Sequence, residues 1–229
     1  MRIRTRIFKL SPRRPDRAAI QEIARIVRDG GLFAFPTDTV YGIGCGLFFR
    51  DSVRRIYALK GRGTDKPLPI LVSSTRDAEV LAASVSDEAR RLMKRFWPGP
   101  LTLVFSSSAV ASLATGGRDT VALRLPRDRV ILAVLKACGL PLASTSANLS
   151  GRPALVTGEE VTRRFSGRLD AIIDAGPSAV GVPSTVLDVS SYPFTIRREG
   201  AISRKKLLEL ISKSTSAKSH HGPPLSRGR

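Results

Sequence analysis

The sequence has few of the residues that identify several large classes of protein. It contains two cysteines in 229 residues, too few for a disulfide framework and without metal-ligand spacing. Its two histidines, His220 and His221, lie in a segment rich in Ser, Pro and Gly, so no histidine is placed to activate a serine. No apolar run approaches the ~18 residues that span a bilayer, and the basic N-terminus leads into no signal-peptide core. We therefore expect a cytoplasmic protein without a membrane segment.

Acidic residues are also scarce, with 19 Asp and Glu against 38 Lys and Arg, for a formal net charge of +19. The electrostatic field of a protein with this positive charge attracts polyanions such as RNA and anionic substrates such as ATP. The sequence carries no signature of a known RNA-binding domain. The charge alone therefore does not choose between an RNA surface and an ordinary solvated basic surface.

Apolar spacing predicts helices that alternate with strands along the chain. The predicted helices are residues 16–29, 51–59, 75–83, 87–96, 130–138, 159–165 and 203–212. The predicted strands are residues 32–35, 69–72, 101–105, 120–125, 140–144, 171–173, 185–189 and 195–198. The irregular intervals favour a mixed sheet in one α/β domain. We expect a basic N-terminal segment at 1–14, the domain at 15–212 and a disordered basic tail at 213–229.

Four polar segments follow predicted strands or helices, where α/β proteins bind ligands. They are residues 36–44, 60–68, 144–151 and 181–186. On its own, each is also consistent with a structural turn or a solvated loop, and the basic segment 60–68 alone favours a solvated loop. The sequence contains neither of the common glycine-rich nucleotide motifs. Without a catalytic histidine or cysteine, chemistry would depend on positioning and charge neutralisation, as in phosphoryl and nucleotidyl transfer.

Taken in order, these segments resemble the YrdC-type family of threonylcarbamoyl-AMP synthases. The matching motifs are FAFPTDTVYG at 33–42, KGR at 60–62, WPGPLT at 97–102, VALRLP at 121–126, SAN at 146–148, PSTV at 183–186 and REG at 198–200. Each motif is short, but seven in the family's order over residues 15–212 make the resemblance specific.

The resemblance implies a single YrdC-like domain with a twisted mixed parallel and antiparallel sheet and flanking helices around a large basic cavity. It implies an enzyme that makes threonylcarbamoyl-AMP and pyrophosphate from ATP, L-threonine and bicarbonate or CO₂. Downstream proteins would transfer the threonylcarbamoyl group to the adenosine beside the anticodon of tRNA, and the basic surface also suits direct tRNA binding. Mg²⁺ is expected with the triphosphate, without a metal site built from protein ligands alone.

The resemblance also assigns site residues. The catalytic residues it implies are Lys60, Arg62, Ser146 and Asn148. The threonine-binding residues are Thr37, Thr39, Arg124 and Ser184. The ATP-binding residues are Lys60, Arg62, Thr145, Ser146, Asn148 and Arg198. Two positions depart from the family pattern, since Gly63 replaces a usual proline and Pro183 a frequent acidic residue.

Two other functions fit the same fold. One is an RNA-binding or ribosome-associated protein, which the net charge favours. The other is an enzyme that forms a carbamoyl-adenylate or transfers an unsubstituted carbamoyl group. Dependence of ATP cleavage on threonine would separate the main prediction from both.

Overall fold

The computed structural model describes residues 3–216, with side chains described as far as Ile211. Strands and helices alternate along these residues. The strands are β1 (Arg6–Lys9), β2 (Phe33–Phe35), β3 (Gly42–Gly46), β4 (Ile70–Leu71), β5 (Leu101–Ser106), β6 (Thr120–Arg124), β7 (Leu142–Ser146), β8 (Ala171–Asp174), β9 (Thr185–Asp188) and β10 (Thr195–Arg198). The helices are α1 (Arg17–Arg28), α2 (Arg50–Lys60), α3 (Thr75–Leu81), α4 (Asp87–Phe96), α5 (Ala109–Thr115), α6 (Arg129–Cys138), α7 (Gly158–Phe165) and α8 (Arg204–Ser216).

All ten described strands form one sheet in the order β1-β8-β2-β3-β7-β4-β6-β5-β9-β10. Strand β8 is parallel to both β1 and β2, and β4–β6 and β5–β9 are also parallel pairs. The other neighbours are antiparallel. The prediction of one α/β domain with a mixed sheet is therefore confirmed.

Alternation along the strands divides the apolar residues between the two faces of the sheet. On β2, Phe33 and Phe35 belong to one core cluster and Ala34 to the other. The Phe33 cluster includes the apolar faces of α1 and α6, which pack against each other. Each helix begins at an aspartate, Asp16 or Asp128, whose side chain accepts backbone N–H bonds. Helices thus cover this face, and the second, larger cluster lies on the other.

Most predicted elements are present within a few residues of their expected bounds, but three elements were missed. The prediction overlooked α5, although Ser108 caps its first turn. It overlooked β3 because its sequence, GIGCG, is typical of a loop. A Cβ at Gly42 would lie 2.6 Å from the Phe35 ring, so glycine allows β3 to lie this close to the ring. Only the pairing of β3 with β2 and β7 reveals it as a central strand.

The third missed element is β1, which lies within the segment that the sequence analysis placed ahead of the domain. Its two apolar residues, flanked by Arg6 and Lys9, pair with β8 at the edge of the sheet. At the other end, α8 extends to Ser216, and the rest of the predicted tail, including both histidines, lies outside the described residues. Within residues 3–216, no helix is both long and apolar enough to cross a membrane.

Candidate active site

A cavity of about 580 Å³ lies over the half of the sheet that contains β5, β6 and β9. Alternate residues of these strands form its floor, because alternate side chains point to the same face. Its middle is apolar, formed by Val104, Ala122 and Val186, and its ends are polar. Its size is in the range of pockets for small molecules and cofactors.

Eight of the ten predicted site residues line this cavity: Thr37, Thr39, Arg62, Arg124, Thr145, Ser146, Ser184 and Arg198. They come from loops and strands that are far apart in the sequence. The other two, Lys60 and Asn148, lie behind the lining, and each is hydrogen-bonded to Ser146 and to the other. The fold therefore brings all ten into one region.

One polar end of the cavity is organised around Arg124, the last residue of β6. Its guanidinium donates through Nη1 to Thr39 Oγ1 at 2.9 Å, through Nη2 to Asp38 Oδ1 at 2.6 Å and through Nε to the Gly99 carbonyl at 3.1 Å. Thr39 Oγ1 also lies 2.9 Å from Thr37 Oγ1. A guanidinium has five N–H groups, so these three bonds leave one on each terminal nitrogen.

The pair of Arg124 and Asp38 is almost completely buried, with side-chain exposures of 7% and 8%. Burial lowers the pKa of Arg124, and the charge and hydrogen bond of Asp38 act in the opposite direction. Asp38 Oδ1 also accepts from the Arg127 backbone N–H at 2.9 Å. Removal of either charge would leave the other buried without its partner, which is costly. Asp38 is therefore a site residue that the sequence analysis did not assign, although it stands between the two predicted threonines.

Ser184 immediately precedes β9 and links β5 to β10 through its hydrogen bonds. Its Oγ lies 2.8 Å from Thr102 Oγ1 and accepts from Arg198 Nη2 at 3.3 Å. The same Nη2 donates to the Ser184 carbonyl at 2.7 Å. A Cβ on Gly200 would lie 2.7 Å from this carbonyl oxygen, so the backbone approach requires glycine. Thr102 belongs to the WPGPLT motif, but no role was predicted for it.

Lys60, Ser146 and Asn148 form a compact hydrogen-bonded group. Lys60 Nζ donates to the Ser146 carbonyl at 2.5 Å and to Asn148 Oδ1 at 2.7 Å. Ser146 Oγ donates to the same Asn148 oxygen at 2.7 Å. Burial, with a smaller contribution from the positive charge of Arg62, lowers the pKa of Lys60 to about 8. One N–H of the ammonium group is left over for a ligand.

The position of Lys60 follows from the end of α2. Lys60 is the last residue of the helix, and Gly61 ends it in the left-handed conformation with φ of 59°. The chain turns there, and Arg62 lines the cavity at the start of an exposed loop. The charge of Arg62 also lowers the pKa of Arg198, after the larger effect of burial. Arg62 is therefore electrostatically close to both Lys60 and Arg198.

The lining of the cavity carries more positive than negative charge. Five lysines and arginines line it, together with two aspartates, Asp65 and Asp188. Both oxygens of Asp188 are engaged, one by Ser190 and the other by Arg197. Neither Asp188 nor Arg197 was assigned from the sequence. Among the described residues, no group of three His, Cys, Asp or Glu is arranged to hold a metal ion.

These features suit a site that binds anions and acts by positioning. Guanidinium and ammonium groups stabilise phosphates and carboxylates, and the hydroxyl groups orient small polar ligands. The histidines lie outside the described residues, and both cysteines are buried away from the cavity lining. The arrangement suits a reaction in which negative charge builds up on phosphate groups.

Comparisons with known proteins agree with this description. Residues 25–200 match the Sua5–YciO–YrdC family model, described as "Telomere recombination". The chain is 42% identical over 193 residues to the threonylcarbamoyl-AMP synthase of Pyrococcus abyssi, and 39% identical over 194 residues to that of Bacillus subtilis. Each match covers 84% of this chain. A crystal structure of P. abyssi Sua5 complexed with L-threonine superimposes with a TM-score of 0.86 at 40% identity, covering 90% of this chain and 61% of that one.

The chain corresponds to only part of these relatives. It spans 57% of the length of the P. abyssi enzyme and 56% of that of the B. subtilis enzyme. The shared part includes the motifs that line the cavity, since the family model covers residues 25–200.

Proposed function

Because the chain belongs to the Sua5–YciO–YrdC family, we propose that it is a threonylcarbamoyl-AMP synthase. It would make threonylcarbamoyl-AMP and pyrophosphate from ATP, L-threonine and bicarbonate or CO₂. The observation that carries this proposal is that one cavity gathers the positive charges and hydroxyl groups of motifs that are distant in the sequence. The solved relative complexed with L-threonine supports the choice of amino acid.

Threonine would bind at the Arg124 end of the cavity. The two remaining terminal N–H groups of Arg124 suit a carboxylate, which accepts two parallel hydrogen bonds. Thr37, Thr39 and Ser184 would orient the amino acid through their hydroxyl groups. Asp38 would hold the guanidinium of Arg124 in place.

The triphosphate would bind beside Arg62, Ser146 and Arg198, with Thr145 also in the lining. Lys60 and Asn148 would support these phosphate contacts from behind. Mg²⁺ would accompany the triphosphate and neutralise part of its charge, held chiefly by phosphate oxygens and water.

The reaction proceeds in two steps. The neutral amine of threonine adds to CO₂ and loses a proton, or reacts with bicarbonate and releases water, to give an N-carboxylate. An oxygen of this carboxylate then forms a bond to the α-phosphorus of ATP, and the bond from that phosphorus to the β-phosphate oxygen breaks to release pyrophosphate. Lys60 and Arg62 stabilise the charge that develops on the phosphates, so the site contributes by positioning and electrostatics.

We further propose that the enzyme acts in the cytoplasm and that downstream proteins pass its product to the adenosine beside the anticodon of tRNA. The net charge of +19 supports direct contact with tRNA through counterion release. Such contact predicts a tRNA affinity that falls steeply as the salt concentration rises. An affinity that does not change with salt would contradict a charge-driven contact.

Pyrophosphate release tests the proposed reaction. The wild type, with ATP, Mg²⁺ and bicarbonate, should release pyrophosphate only when threonine is added. Lys60→Ala should lose this release, whereas Arg163→Ala, which changes an exposed arginine on α7, should retain it. Release without threonine, or an undiminished rate in a folded Lys60→Ala protein, would reject the proposal.

A further inference from the structure

The loop that follows α2, residues 61–67, has open space on two sides. The substrate cavity lies on one side, and a second cavity of about 370 Å³ lies on the other, between α2, the end of α5 and the start of β6. Pro67 lines both cavities, and residues 63–67 are exposed. Close packing cannot hold a segment that has space on both sides, so hydrogen bonds must fix its position.

Two side chains outside the loop supply such hydrogen bonds. Arg118, two residues before β6, donates through Nη1 to the Asp65 carbonyl at 3.4 Å and through Nη2 to the Thr64 carbonyl. Tyr57, on α2, donates its hydroxyl to the Lys66 carbonyl at 3.0 Å. Neither Arg118 nor Tyr57 lines the substrate cavity. Both line the second cavity and contact the loop from behind.

Arg62 contacts the same part of the loop from the front. Its Nε donates to the Lys66 carbonyl at 3.3 Å and its Nη2 to the Pro67 carbonyl at 3.2 Å. The guanidinium is thus oriented by carbonyl groups whose own position depends on the ties from behind. If the loop moved into the second cavity, these acceptors and the guanidinium would move with it.

We infer that Arg118 and Tyr57 are positioning residues for Arg62 and thereby set the affinity for ATP. This inference rests on the proposed function, in which Arg62 contacts the triphosphate. It predicts a change in the affinity for ATP and none in the affinity for threonine, because the proposed threonine contacts come from Arg124 and Ser184, which lie outside this loop.

Calorimetric titration with ATP and Mg²⁺, and separately with threonine, tests the inference. Arg118→Gln and Tyr57→Phe should each raise the Kd for ATP, by about tenfold for Arg118→Gln if the competent loop falls to about a tenth of the population. The Kd for threonine should stay within twofold of the wild-type value. Arg54→Gln is the matched control, since Arg54 lines the same second cavity but pairs with Asp51 and not with the loop.

A double mutant separates this inference from the proposed function. In the Arg62→Gln protein, adding Arg118→Gln should change the Kd for ATP by less than twofold, because Arg118 acts through Arg62. The inference would be overturned if the effects of the two substitutions on the Kd for ATP were fully additive. It would also be overturned if Arg118→Gln weakened ATP and threonine binding equally. An Arg62→Gln protein with unchanged ATP affinity would overturn both this inference and the assigned role of Arg62. Tyr57→Phe removes only a hydroxyl group, so it provides the test if Arg118→Gln fails to fold.

Discussion

The pKa of Lys60 makes a prediction about stability that requires no substrate. Burial lowers this pKa from 10.5 to about 8, so the folded protein releases the proton at a pH where the unfolded chain still holds it. Between these values the unfolded state binds one more proton, and the free energy of unfolding therefore rises with pH. Below pH 8 both states are protonated, and burial of the ammonium group costs about 3 kcal/mol.

The effect is best measured as a difference between the wild type and Lys60→Met. From pH 8 to 9.5, Lys60 should add roughly 1 to 2 kcal/mol to the free energy of unfolding, measured in urea, and the methionine variant should lack this rise. Burial also raises the pKa values of Cys45, Cys138 and Tyr41, which contribute in the opposite direction at alkaline pH, but both proteins contain these groups and their contribution cancels in the difference. Equal slopes in the two proteins would refute the lowered pKa.

The same titration should affect ligand binding. At pH 9 only about a tenth of the free protein would carry a charged Lys60, so the affinity for ATP should fall by up to about tenfold per pH unit above 8. Lys60→Arg should show no such fall, because arginine stays charged throughout this range. A wild-type affinity that is flat from pH 7 to 9.5 would contradict a role for the Lys60 charge in binding.

Three further predictions concern the threonine end of the cavity. Asp38→Asn should lower the free energy of unfolding by about 3–5 kcal/mol, because it leaves Arg124 buried without its counterion. A loss below about 1 kcal/mol, measured by urea unfolding, would contradict this prediction. Ser184→Ala should raise the Kd for threonine about tenfold while the Kd for ATP stays within twofold. Thr102→Val removes only the hydrogen-bond partner of Ser184 and should therefore raise the Kd for threonine less. Gly200→Ala should weaken threonine binding because its Cβ would displace the Ser184 backbone, and calorimetry showing wild-type affinity would exclude that close approach.

Much of the fold could be predicted because local physical signals were strong. The apolar spacing of α1 and α4 and the apolar run of β2 each indicate one type of structure. The prediction failed where tertiary contacts overrode the local signal. The glycines of β3 suggest a loop, and the basic residues of β1 suggest a solvated segment, yet both pair with neighbouring strands. The pairings of β1 with β8 and of β3 with β7 join distant segments and leave no local pattern in such short strands.

The residues of the candidate site also fall into those that the sequence indicated and those that only the tertiary structure revealed. The sequence by itself determined which residue types occur in which motifs, and these were sufficient to indicate the family and ten site residues, eight of which line one cavity. Only the tertiary structure decided that Asp38 is the counterion of Arg124, that Thr102 bonds to Ser184, and that Arg118 holds the loop of Arg62. Each of these contacts joins residues more than 50 positions apart, so it depends on how the sheet orders its strands. A motif specifies the chemical groups in a short segment, but a hydrogen bond between segments exists only when the fold brings its donor and acceptor together.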